Sequence, residues 1–111
     1  MVRDDRVETE AIKQCFGPLA RSIPMSSVKS MIGHPQGACG AAGAVAALMA
    51  IRRGVIPPTI NLDTPDPDCD LNYVPKQAIK KRIRTALCNT LGVNSKNSVL
   101  IFAMPNELEN V

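Results

Sequence analysis

The stretch Ser26-Ser27-Val28-Lys29-Ser30-Met31-Ile32-Gly33-His34-Pro35-Gln36-Gly37-Ala38-Cys39-Gly40-Ala41-Ala42-Gly43 sets a lysine and the chain's single histidine five residues apart. It then opens into a run without charge: from Gly37 to Ile51, seven alanines and three glycines stand among Val45, Leu48, Met49 and Ile51. This composition predicts a helix over 37–51 that is apolar on every face, and such a helix belongs inside a larger body. Arg52-Arg53-Gly54 closes it, because cations suit the negative end of a helix dipole and glycine takes the left-handed cap position. Free N–H groups at the start of the helix favour anions and developing oxyanions. A neutral imidazole at His34 can donate to the same charge, with Lys29 within reach of the same mouth. On these residues alone, a histidine beside a glycine turn serves either structure or catalysis.

Outward from this block, Asp4-Asp5 followed by Val7, Ala11, Ile12, Cys15 and Phe16 has the spacing of a short amphipathic helix, which Gly17-Pro18 stops. Ile23 to Ser30, with Pro24 near its start, reads as a strand leading into the Gly33-His34-Pro35 turn. Val55 to Pro75 holds five prolines and four aspartates and must run as an extended, turn-rich connection. Lys76 to Arg84 is basic. Thr85 to Thr90 and Ser98 to Ala103 then form two short apolar runs around Leu91-Gly92-Val93-Asn94-Ser95-Lys96-Asn97, the pattern of a β-hairpin with a glycine-containing loop. The tail after Pro105 is polar and expected to fray.

With 111 residues the chain is one domain or part of one. Aromatic residues make up 3% of it, so alanine, valine and isoleucine carry the apolar surface. The net charge of +3 is modest, and no aromatics interleave with the basic residues to stack bases, which argues against nucleic-acid binding. Met31 to Ile51 is uncharged but broken by Gly33, Pro35, Gly37, Gly40 and Gly43, and the start lacks a secretory pattern, so a membrane role is not expected and the reading is cytoplasmic. Cys15, Cys39, Cys69 and Cys88 form no CxxC pair, and one histidine cannot complete a zinc site, so no metal and no disulfide framework is expected. Cys39, near a helix start and five residues after His34, is the one cysteine placed to act as a nucleophile. Among Ala38, Gly40, Ala41 and Ala42 it is more simply a small buried hydrophobe, and all four cysteines are read as structural.

Three blocks in one order carry a family resemblance that covers the chain from about Asp5 to Phe102. The run SSVKSMIGHPQGACGAAG resembles the lysine–histidine motif and Gly/Ala helix of the β-ketoacyl-(acyl-carrier-protein) synthases, condensing enzymes of the thiolase superfamily. GVIPPTINLDTPDPDCDLNYVP resembles that family's downstream loop. DDRVETEAIKQCFG resembles the helix after its first histidine motif. The resemblance implies an α/β fold: residues 1–111 would be the C-terminal half of a thiolase-like fold, a mixed β-sheet layered with a buried apolar helix.

It also implies decarboxylative Claisen condensation of malonyl-carrier protein with an acyl thioester, in fatty acid or polyketide synthesis, without a cofactor. His34 takes the place of the second histidine that hydrogen-bonds the enolate oxygen, and Lys29 that of the family's lysine. The first histidine and the nucleophilic cysteine fall in family segments N-terminal to this chain, so the chain alone is expected to be inactive. The expected partners are an acyl-carrier protein and an N-terminal condensing-enzyme half or partner subunit, in an oligomer that is expected to be a dimer. Two departures stand out. Relatives commonly carry a gating G-F-G segment where this chain has Gly92-Val93-Asn94, and many carry a glutamate of a buried polar or cation site where it has Gly43. Lys76, Lys80, Lys81, Arg82 and Arg84 are candidates to meet an acidic carrier protein. The alternative to an enzyme half is a non-catalytic partner that shapes the acyl pocket or binds carrier protein.

Overall fold

The computed structural model describes residues 2–92 and 96–108. Acidic residues in the first turn and Lys13 in the last complement the helix dipole of α1, Val2–Phe16. Gly17, with φ of 55°, ends it, and Pro18 enters a 3₁₀ turn over Gly17–Ser22. After an extended segment come α2, Lys29–Ile32, a second 3₁₀ turn, Gln36–Ala38, and α3, Cys39–Arg53. Gly54 caps α3 in the left-handed conformation, φ 63° and ψ 39°, as the Arg-Arg-Gly triplet requires.

Beyond Gly54 the proline-rich segment folds back on itself. Strands β1, Val55–Ile56, and β2, Ile79–Lys80, pair antiparallel, and a parallel bridge joins Thr59 to Pro75. Thr59 is the clamp: its N–H donates to the Val74 carbonyl at 2.9 Å and its carbonyl accepts from Lys76 N–H at 3.1 Å. Val74 is 1% exposed and holds a φ of 48°, which is strained for a β-branched residue. Among the described residues the buried ones are Ala20, Ile56, Leu71 and Val74, with Thr9, drawn from α1, its 3₁₀ turn and this segment. A hydrogen bond between the Thr9 and Tyr73 hydroxyls links the two sides of that core.

The rest of the chain is a second layer. Strands β3, Thr85–Leu91, and β4, Asn97–Ala103, form a hairpin with register Thr85↔Ala103 through Leu91↔Asn97. Helix α3 lies on β3 with its glycines inward. A Cβ at Gly43 would stand 2.6 Å from Cys88 Sγ, closer than real contacts allow, so any larger residue here would have to shift Cys88 or the helix. The chain ends its described course in α4, Pro105–Leu108, where a frayed tail was expected. Among the described residues no helix is long and apolar enough to cross a membrane.

Two further expectations need correction. Ile23 to Ser30 is not a strand: Met25 N–H makes one bond, to the Asn72 carbonyl at 2.8 Å, and the chain then turns helical because Ser30 Oγ donates back to the Ser27 carbonyl at 2.8 Å. Helix α3 sits against a sheet as expected, but none of its residues is buried, because only one of its faces is covered among the described residues. Both strand senses occur, as two antiparallel pairs and the single parallel bridge, rather than in one continuous sheet.

Candidate functional site

Helix α2 and the turn after it present Lys29 and His34. Gly33 makes the turn at φ 78°, with its N–H bonded to the Lys29 carbonyl at 2.9 Å. Gln36 follows at φ 49°, a conformation that costs a side-chain-bearing residue strain, and its N–H points at His34 Nδ1 at 2.9 Å. A backbone N–H can only donate, so Nδ1 is the acceptor and the proton of the neutral ring stands on Nε2. Nε2–H is then the ring's donor on an exposed side chain, and an oxyanion-binding histidine needs such a donor. His34 and Lys29 are both exposed, and no hydrogen bond joins them among the described residues.

The motif is anchored from the proline-rich segment. Ser27 N–H donates to Thr59 Oγ1 at 3.0 Å, and Ser30 Oγ accepts from Ile60 N–H at 3.0 Å. Thr59 thus holds Val74 with its backbone and the motif with its hydroxyl. Sequence reading assigned no role to Ser27, Ser30, Gln36 or Thr59. Two serines flanking a lysine were the available signal, since serine commonly folds back onto nearby backbone.

Cys39, read as a buried hydrophobe, is instead half-buried, with Sγ 3.8 Å from His34 Nδ1. With Nδ1 as acceptor, as the Gln36 bond requires, the thiol is the donor in this contact. Cys15 is exposed, and Cys69 and Cys88 are half-buried; all four thiols are free. At the hairpin, Gly92 N–H bonds the Lys96 carbonyl at 2.6 Å, and a Cβ there would press on the same carbonyl at 2.9 Å, so the loop closes on a glycine. The gating positions Val93 and Asn94 lie outside the described residues. The basic set is divided by the fold. Lys76 pairs with Asp63 at 3.3 Å, whereas Lys80, Lys81 and Arg82 line a groove with Arg52 and Arg53 from the end of α3. Arg84 lies outside that lining. Among the described residues no three His, Cys, Asp or Glu side chains are grouped to hold a metal ion. A side chain at Gly43 would meet Cys88 Sγ first, 2.6 Å from where its Cβ would stand.

Comparison with known proteins gives a consistent result. The family model described as Beta-ketoacyl synthase, C-terminal domain, matches residues 2–63, more than half of the chain. Nodulation protein E of Rhizobium sp. (strain N33) is 48% identical over 99 residues, 89% of this chain and 25% of that protein. The tetracenomycin polyketide synthase ketoacyl synthase alpha subunit of Streptomyces glaucescens is 46% identical over 105 residues, 95% of this chain and 25% of its own length. Among solved structures, a type II PKS acyl-carrier protein in complex with its ketosynthase superposes with a TM-score of 0.84 at 43% identity, covering 86% of this chain and 24% of that one. The ishigamide ketosynthase/chain length factor gives a TM-score of 0.83 at 40% identity, over 88% of this chain and 24% of that one. The chain spans about a quarter of the length of the curated relatives it matches.

Proposed function

The chain belongs to the β-ketoacyl synthase family, matching its C-terminal domain, and from that premise we propose that it is the C-terminal part of a 3-oxoacyl-(acyl-carrier-protein) synthase. In this reading a cysteine thiolate from a separate stretch of polypeptide takes an acyl group from its thioester and releases the carrier thiol. Malonyl-carrier protein then loses carbon dioxide, the electron pair of the broken C–C bond passes into an enolate, and the enolate carbon attacks the acyl-cysteine. The product is a β-ketoacyl thioester two carbons longer, and the cysteine leaves as thiolate. His34 Nε2–H stabilises the enolate oxygen, and Lys29 supplies positive charge beside it. Carrier protein, the cysteine-bearing half and a second copy of the enzyme are the partners this reading requires, in the cytoplasm.

The observation that carries the proposal is the Gln36 N–H bond to His34 Nδ1, which leaves Nε2–H as the outward donor. Its test separates the two half-reactions in the enzyme reconstituted with its cysteine-bearing half. His34→Ala should slow malonyl decarboxylation by about 10² to 10³, the usual loss for one oxyanion donor, and leave acyl transfer to the cysteine within a few-fold. Equal losses in both steps would reduce His34 to a structural residue. The second reading, a non-catalytic partner that shapes the acyl pocket, is favoured by Val93 standing where the family resemblance expects a gating phenylalanine. That reading predicts no condensation at all on addition of the cysteine-bearing half.

A further inference from the structure

Helix α2 carries Lys29 and leads into His34, yet it is four residues long, has no buried residue and has no side-chain cap at its start. A single turn closes too few hydrogen bonds to be stable by itself, so its place in the molecule is set by what it is tied to. Two ties come from adjacent residues of the proline-rich segment. Thr59 Oγ1 accepts from Ser27 N–H, and Ile60 N–H donates to Ser30 Oγ, both at 3.0 Å. One such bond would leave a hinge. Two bonds, at Ser27 and at Ser30, fix direction as well as position, and Lys29 lies between them.

The tie is as firm as Thr59, and the fold makes that residue firm. Its N–H and carbonyl are bonded to Val74 and Lys76 on either side of Pro75. Val74 is the buried end, 1% exposed, with its own N–H donating to Asn72 Oδ1 at 3.1 Å. Pro57 and Pro58 restrict the backbone that leads to Thr59. Backbone strain gathers along the same connection. Among the described residues, four other than glycine have positive φ. Asn61, Val74 and Lys76 stand within two positions of the Thr59–Pro75 bridge, and the fourth is Gln36, whose N–H holds His34. Such conformations persist where the surrounding structure over-determines them, and they cluster at functional sites.

We propose that Thr59 is a positioning residue for the condensation, acting through Ser27 to hold the segment that bears Lys29 and His34 where His34 meets the enolate oxygen; the inference rests on the condensing-enzyme reading above. Ser27 is exposed, so water can replace the hydroxyl as its partner, and loss of the bond costs little stability. What is lost is direction, to which a reacting geometry is far more sensitive than a fold is.

The test uses the enzyme reconstituted with its cysteine-bearing half. Thr59→Val keeps the β-branched shape and both backbone bonds but removes the acceptor, whereas Thr59→Ser keeps the acceptor. Thr59→Val should slow malonyl decarboxylation about tenfold and leave acyl transfer to the cysteine within about twofold, and Thr59→Ser should restore decarboxylation to within about threefold of the parent. Amide hydrogen exchange over α2, followed by mass spectrometry, should quicken in Thr59→Val and not in Thr59→Ser. Equal losses in the two half-reactions, a serine variant as slow as the valine one, or unchanged exchange over α2 would overturn the assignment. If Thr59→Val fails to assemble, Ser30→Ala carries the same test, since it releases the second tie and leaves Thr59 in place: selective slowing of decarboxylation upholds the anchor, and a parent rate refutes it. His34→Ala is measured alongside. A His34→Ala enzyme that decarboxylates at the parent rate refutes the condensing-enzyme reading, whereas a slow His34→Ala beside Thr59→Val at the parent rate refutes the positioning role alone.

Discussion

At His34 the proposed role rests on one backbone N–H. Gln36 holds a strained φ of 49°, its N–H meets Nδ1, and that bond sets the tautomer of the neutral ring. Gly43 is the other residue at which a single atom decides. Alanine there would gain about 1 kcal/mol in helix propensity but would push a methyl group against Cys88 Sγ, and overpacking of this kind costs about 1–3 kcal/mol. Gly43→Ala is therefore expected to lower stability by roughly 1 kcal/mol net, and Gly43→Ala/Cys88→Ala to recover most of the loss, since the sulfur is the obstacle. Urea unfolding of the reconstituted enzyme measures both; a double variant no better than the single would show that the crowding lies elsewhere.

Among the elements, α1 and the proline-rich segment are joined by charge as much as by apolar contact. Asp70 receives hydrogen bonds from Lys13 and then Arg21, which hold its carboxyl down at about 2 against a burial effect that pushes it up. Arg6 sits on Asp66 and Asp68, and the Asp66 carboxyl is lowered first by the Asp68 N–H and then by Arg6. Carboxyls depressed in the folded state stabilise it above their unfolded pKa, and that contribution fades as acid protonates them. For Asp70 the loss runs from about pH 4 down to about pH 2, the interval between 3.8 and its folded value. Asp70→Asn should flatten the fall in stability over that interval and leave the shape of the curve above pH 5 unchanged, as followed by chemical denaturation at fixed low salt. An unchanged slope below pH 4 would mean that Asp70 does not couple α1 to the segment.

On the scale of the whole molecule, the buried core is confined to one side of the chain. Val45 on α3 is 60% exposed and Ile101 on β4 is 67% exposed, with Leu48, Leu87, Val99 and Leu100 open beside them. Fully covering residues of this size stabilises by roughly 1.5–3 kcal/mol each, and an uncovered two-stranded hairpin is marginal in water and offers an edge for pairing. The proline-rich segment is not the missing lid, because its ion pairs and hydrogen bonds commit it to α1 and the lysine–histidine motif. The 111-residue chain expressed alone should therefore associate, aggregate or lack a cooperative transition, and should show no condensing activity. Co-expression with the N-terminal half of a condensing enzyme should convert it into a compact unit that dimerises. Sedimentation at low micromolar concentration checks this: a compact monomer that unfolds cooperatively without a partner would refute it.

The sequence by itself determined the elements governed by local rules. A run of small apolar residues closed by Arg52-Arg53-Gly54 reads as a helix with a glycine cap, and two short apolar runs about Gly92 read as a hairpin. The lysine–histidine block, read as a motif, likewise named Lys29 and His34 as the residues on which the proposed chemistry rests. What it could not determine were contacts between residues far apart in the chain. The segment 23–30 has the composition of a strand, but one hydrogen bond to the Asn72 carbonyl and one to the Thr59 hydroxyl hold it as an extended lead into α2. Local pattern likewise gave a basic run from Lys76 to Arg84. Only the tertiary structure divided it, neutralising Lys76 with Asp63 and setting Lys80, Lys81 and Arg82 beside two arginines of α3, because charge complementarity is a property of space rather than of order along the chain.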